Sequence, residues 1–200
     1  MALGLVLARF YRSEDEFERL HQRLKLTLCP HCKATGTLIL HGKLYGYTED
    51  DDCQKSCRGK RVFCNNRKAR KNGCGHTFSI WAAGMLKRLR LSASTFWTFV
   101  NLVIFLGNKA QALREAKLDL SISSAYRLWK RFVNCQSHIR TALAKCCPVP
   151  DLPHSRQDAE QTVAHLEAAF PGESCPISAF LGRIRLPLKS VRAVRFPPSS

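Results

Sequence analysis

The spacing of apolar residues along the chain changes character twice. In "SEDEFERLHQRL", Phe17, Leu20 and Leu24 recur three and four positions apart, the repeat of one helical face. Ser13 followed by Glu16 forms a capping box, which predicts a packing helix starting at Ser13. From Cys29 to about Trp81 that period disappears. Proline, glycine and β-formers take over: "TLILHGKLYGY" reads as a strand or hairpin arm, and "GKRVFC" and "TFSIW" as short strands. The intervening "TEDDDCQKSC" is too polar for a core strand and predicts an exposed hairpin tip.

The helical period returns from Ser94 to about Cys146. A helix over 94–106 is apolar nearly all round, which places it at the centre of a bundle or at a homodimer contact. Gly107 ends it. Asn108 opens a second helix, with Gln111 as its capping-box partner, and after a turn at "DLS" a third begins near Ser121–Ser123. Ile122, Ala125, Leu128, Trp129, Phe132 and Val133 form the apolar stripe of that third helix. Beyond "CCPVPDLPHS" prolines break the signal. One helix is predicted at about 159–170, capped by Asp158 and stopped by Pro171-Gly172, and the end, basic and without an acid, reads as a poorly ordered tail. The chain is thus expected to be α+β: an N-terminal helix in 1–27, a small β region in 28–82, a helical bundle in 90–146 and a proline-containing extension in 147–200.

Charge narrows the function. The net charge is +17 over 200 residues, and from Arg58 to Arg90 there are ten Lys/Arg and no acid. A chain this basic is expected to meet a polyanion, most often nucleic acid. With 45% hydrophobic residues it can still bury a core. Neither apolar run argues for a membrane. "MALGLVLARF" lacks the basic start and small-residue cleavage site of a leader, and "FWTFVNLVIFLG" is far shorter than the roughly 20 residues of a span. A cytoplasmic location is the expectation.

Ten cysteines, two of them in "CPHC", point to metal chemistry in such a compartment. The spacing of Cys29 and Cys32 lets one tight turn aim two sulfurs at one ion, and a zinc tetrahedron needs a second pair. Cys64 closes a strand, and Cys74 stands between Gly73 and Gly75, where a knuckle turn can adopt positive φ. These favour Cys29, Cys32, Cys64 and Cys74 as ligands of a structural Zn2+, with Cys53 or Cys57 as a ligand, or His76 in place of Cys74, as open alternatives. Cys135, Cys146, Cys147 and Cys175 lack ligand spacing and read as ordinary reduced thiols. Four cysteine ligands leave no open position for water, so a catalytic zinc is not expected. Nine residues separate Cys64 from Cys74, and Arg67, Lys68, Arg70 and Lys71 make that insert a basic finger aimed at phosphate.

A short helix, a turn and a second amphipathic helix describe a helix-turn-helix. Opposite its apolar stripe the third helix carries Ser124, Arg127, Arg131 and Asn134, with Lys130 beside them and Ser123 at the helix start. Arg127 is placed to fork onto a guanine, and Lys130 and Arg131 to take phosphates. The plainer alternative is a three-helix bundle with a basic exposed face.

The order "CPHC", "RGKRVFCNNRKARKNGCGHTFSIW", an apolar helix and then "SISSAYRLWKRF" resembles the N-terminal DNA-binding portion of bacterial insertion-sequence transposases, over roughly residues 26–140. The resemblance implies a zinc ribbon with Cys29, Cys32, Cys64 and Cys74 as ligands, followed by a helix-turn-helix with its recognition helix in 121–134. It also argues against His76 as a ligand, since such ribbons often carry Arg there. A transposase further needs a nuclease domain whose carboxylates hold metal ions. After Val133 the acids are Asp151, Asp158, Glu160, Glu167 and Glu173, none on a plausible buried strand. The expected function is therefore a zinc-dependent protein that binds double-stranded DNA without catalytic residues. A truncated transposase or nuclease and an RNA-binding zinc protein are the alternatives.

Overall fold

The architecture was read from a computed structural model that describes residues 5–47, 55–66, 73–86, 89–151 and 158–183. The chain divides into two compact units, Met1–Ser92 and Ala93–Ser200.

The first unit is built on β-structure. Strands β1 (Leu5–Val6) and β2 (Phe10–Tyr11) precede helix α1 (Glu14–Gln22), a 3-10 turn at Leu24–Leu26 and strand β3 (Thr27–Leu28). Then come β4 (Leu38–Tyr47), β5 (Lys55–Cys64) and β6 (Thr77–Ala82). The main sheet has the order β2-β6-β5-β4, with β4, β5 and β6 antiparallel and β2 added parallel to β6. The three longer strands fall where "TLILHGKLYGY", "GKRVFC" and "TFSIW" place them. The two-residue strands β1 and β2 carry no local signal and arise from pairing alone. The predicted hairpin tip begins outside the described residues, but its last three residues, Lys55–Cys57, already belong to β5.

Helix α1 starts as its capping box requires. Ser13 accepts from the Glu16 N–H at 3.2 Å, and Glu16 reaches back to the Arg12 N–H at 2.7 Å. Phe17 then packs with Tyr11, Leu24, Leu38, Val62 and Ile80 in one core that also contains Cys29 and Cys64. The sulfurs therefore sit at the edge of the hydrophobic core, which ties their placement to its packing.

The second unit is all helical among its described residues: α2 (Ala93–Leu106), α3 (Lys109–Glu115), α4 (Ile122–Leu143), α5 (Asp158–Ala169) and α6 (Pro176–Arg183). Asn108 caps α3 by accepting from the Ala110 and Gln111 N–H groups at 2.9 and 3.1 Å. Ser121 caps α4 by accepting from the Ser124 N–H at 3.2 Å. Each such cap contributes about 1 kcal/mol. Helix α5 matches its expected place, and α6 was not expected. Helix α5 packs on α4 and α2, and α6 on α2 and α5. Arg140 of α4 holds the start of α5, donating from Nη1 to Asp158 O, Asp158 Oδ1 and Gln161 Oε1. No helix among the described residues is long and apolar enough to cross a membrane.

Candidate metal centre

Local backbone chemistry creates each half of the site. In the first knuckle the Lys33 N–H donates to Cys29 O at 3.0 Å and the Cys29 N–H to Ala34 O at 2.9 Å, closing a turn around "CPHC". Lys33 takes positive φ, 63°, to complete it. In the second knuckle the antiparallel pairing of β5 and β6 runs to Phe63 opposite Thr77. It continues one step further, with the Cys64 N–H donating to His76 O at 2.9 Å and the Gly75 N–H to Cys64 O at 3.0 Å. The two rails of the hairpin thus stay hydrogen-bonded up to Cys64 and Gly75, and Cys64 and Cys74 meet at its end.

The glycines beside Cys74 have different reasons to be there. Gly75 has φ +73°, the left-handed region that a side chain disfavours. At Gly73 a Cβ would run into the backbone carbonyl of Asn65.

These turns bring Cys29, Cys32, Cys64 and Cys74 together, with all four sulfurs within 4.8 Å of one another. Cys29 Sγ is 3.7 Å from Cys74 Sγ, and Cys32 Sγ is 3.8 Å from Cys64 Sγ. A tetrahedron with metal–sulfur bonds of about 2.3 Å has edges of roughly 3.8 Å, so these two opposite edges already have the length that a bound zinc requires. A disulfide, at about 2.05 Å, is a different arrangement. The four cysteines can hold a metal such as zinc.

The surroundings suit thiolates. The Cys74 N–H donates to Cys64 Sγ at 3.2 Å, and Thr37 Oγ1 lies 3.2 Å from the same sulfur. Backbone N–H donation at Ala34 draws the Cys32 thiol down to about 7, whereas burial pushes Cys29 up to about 12 and also raises Cys74. Without a metal, burial holds protons on the inner sulfurs, and a metal ion has to displace them.

Of the alternative ligands, Cys57 lies on β5 opposite Tyr45, with its sulfur against Gly59 O at 3.4 Å, and is not in the cluster. Cys53 falls outside the described residues. His76 belongs to a separate group with His31 and Cys74, on the outer side of the knuckles. The imidazoles of His31 and His76, both exposed, stack with centroids 3.6 Å apart and planes at 18°.

The basic residues fall into different classes. Arg67, Lys68, Arg70 and Lys71 lie outside the described residues, as do Lys87 and Arg88. Arg58 and Lys60 are buried, at 7% exposure each, and serve the interior of the first unit. Arg58 Nη2 donates to Leu86 O at 2.9 Å and to Leu89 O, and burial lowers its pKa. Lys60 pairs with Glu14 at 2.8 Å and lies over the Phe17 ring. Arg61 is exposed. A run of charge read from sequence therefore mixes surface cations with internal ones.

On α4, Ser123, Arg127, Lys130 and Asn134 are exposed, and Ser124 and Arg131 are half-buried. Ser124 Oγ is 2.9 Å from Ser121 Oγ, and Arg127 Nε donates to Ser123 O at 3.3 Å. Four residues, Lys117–Leu120, separate the C-cap Ala116 of α3 from the N-cap Ser121 of α4. The apolar stripe expected on α4 divides. Ala125, Leu128 and Phe132 are buried, but Ile122 and Val133 are 56% and 43% exposed. Exposed Tyr126 and half-buried Trp129 lie beneath the Lys109 ammonium at 5.2 and 5.9 Å.

The chain matches no family model, no curated protein and no solved structure.

Proposed function

We propose that this chain is a zinc-dependent, double-stranded-DNA-binding protein: a zinc ribbon in the first unit and a helix-turn-helix in the second. The observation that carries the metal half of this reading is the pair of S···S edges at 3.7 and 3.8 Å, which match the edge length of a zinc tetrahedron. The nucleic-acid half is supported by the net charge of +17 and by α4. That helix follows a four-residue link from α3 and presents Ser123, Arg127 and Lys130 to solvent from its first turns. In a helix-turn-helix those turns approach base edges, while flanking cations fix the register on phosphate. The four cysteines organise the fold of the first unit, and the basic insert with Arg67, Lys68, Arg70 and Lys71, which lies outside the described residues, supplies charge for phosphate.

The kinship proposed is with the DNA-binding portion of insertion-sequence transposases, without their catalytic half. In support, two acids of the C-terminal segment have structural partners: Asp158 pairs with Arg140 at 3.3 Å, and Glu173 with Arg183 at 2.8 Å. The protein then acts by occupying DNA, as a regulator or as an accessory of a mobile element.

Selection from a random duplex library with the zinc-loaded chain tests the reading. Enrichment of a defined site, lost on chelation, is the expected result. Binding that ignores duplex DNA at low salt overturns it. A second reading, RNA binding, is favoured by Tyr126, a ring 53% exposed beside the basic face and able to stack on an unpaired base. Competition between duplex DNA and structured RNA separates the two.

A further inference from the structure

The geometry points to a second metal site on the outer face of the knuckles, formed by His31, His76 and the sulfur of Cys74, which bridges it to the four-cysteine centre. The inference rests on the reading of the four cysteines as a metal centre and adds a second ion to it.

Two observations carry it. The ligand atoms of His31, Cys74 and His76 lie within 4.8 Å of one another, two from the second knuckle and one from the first. Both knuckles are fixed by backbone hydrogen bonds, the Lys33 N–H to Cys29 O and the Cys64 N–H to His76 O, so the three groups are brought together by the fold. The two imidazoles also meet nearly face to face, at 3.6 Å and 18°. Two imidazoles and a half-buried thiol at this separation offer the ligand set of one ion.

The charge balance favours the same conclusion. A divalent ion bound by four thiolates leaves the first centre doubly negative. A second divalent cation bound by neutral imidazoles cancels that charge, and a thiolate sulfur keeps lone pairs for a second metal bond. Two nitrogens and one sulfur suit zinc or cobalt, and the fourth position is left to water. Because each metal–nitrogen bond lies in the plane of its ring, occupancy must turn the two imidazoles out of their stack. Both side chains reach solvent, and turning His76 also gives up the 3.3 Å contact of its Nδ1 with Cys74 O.

The test is native mass spectrometry of the full-length, metal-free chain titrated with Co2+ under reducing conditions, with visible absorption followed in parallel. The expected result is two ions per chain: a first with strong sulfur-to-cobalt charge transfer, and a weaker second. The double variant His31→Ala/His76→Ala should keep the first ion and its absorption and lose the second, with its circular dichroism unchanged. Cys74→Ser should lose the second ion and weaken the first. Saturation at one ion, or a second ion that persists in the double variant, overturns the proposal while leaving the four-cysteine reading intact. Failure to bind any ion overturns both.

Discussion

The Cys74 N–H donates to Cys64 Sγ at 3.2 Å across ten positions of sequence. This contact reconciles a nine-residue spacing with a knuckle. The β5–β6 hairpin continues through Cys64 and His76, so the distance that matters between Cys64 and Cys74 is across the hairpin.

Loss of one ligand should therefore undo more than one bond. Cys64 is fully buried in the core with Leu38, Val62 and Ile80. Cys64→Ser is expected to abolish tight zinc binding and the cooperative unfolding of the first unit, because structural zinc supplies folding free energy directly. Cys57→Ser, outside the cluster, should retain one tightly bound zinc. Metal content by mass spectrometry and thermal melts with and without chelator check both; equal zinc loss in the two variants contradicts the assignment.

Zinc binding should expel protons. Burial holds Cys29 near 12 and raises Cys74, so both sulfurs are protonated in the metal-free chain at neutral pH. At least about two protons should leave per zinc at pH 7, and affinity should fall as pH falls. The dependence steepens below about 7, where Cys32 also takes up its proton. Indicator-based proton counting and zinc competition between about pH 6 and 8 measure this, and a flat profile would contradict a thiolate site.

Arg58 should behave as a structural residue. Its guanidinium satisfies the carbonyls of Leu86 and Leu89 from a buried position. Arg58→Ala leaves those acceptors without that donor and should cost about 2–3 kcal/mol in urea unfolding. Arg61→Ala, at an exposed position, should stay within about 0.5 kcal/mol. Equal stability of the two variants would argue against an internal role for Arg58.

The exposed face of α4 divides by role. Arg127→Ala should cost about 1–3 kcal/mol on the selected DNA site and less on random duplex. Lys130→Ala should weaken both alike and lower the salt slope by about one. Titrations at several salt concentrations on both duplexes decide; identical effects of the two substitutions would remove α4 from the recognition role.

Much of this was legible because it is local. Ser13, Asn108 and Ser121 cap helices through side-chain hydrogen bonds to N–H groups two or three residues on, so the caps are written in adjacent residues. The strands containing Leu38, Val62 and Ile80 were equally visible in their β-formers and turn residues. "CPHC" marked the first knuckle, and the glycines flanking Cys74 marked the second. Pro176, which opens α6, was a readable start signal, since proline suits the first position of a helix.

By itself, then, the sequence determined the α+β order and the starts of α1, α3 and α4 and favoured the four sulfurs over their alternatives, because capping, periodicity and ligand spacing act over a few residues. The tertiary structure alone decided what depends on distant partners. Strands β1 and β2 exist only by pairing with β3 and β6. Arg58 and Lys60 became internal because β5 turns them toward Leu86 and Glu14, and Ile122 and Val133 stayed exposed because the packing of α4 buries only the neighbouring stripe through Ala125, Leu128 and Phe132. His31 and His76, 45 positions apart in the sequence, were brought face to face by the two knuckles. Charge and hydrophobicity are properties of single residues, but the side that each residue presents is fixed by whatever packs against its backbone.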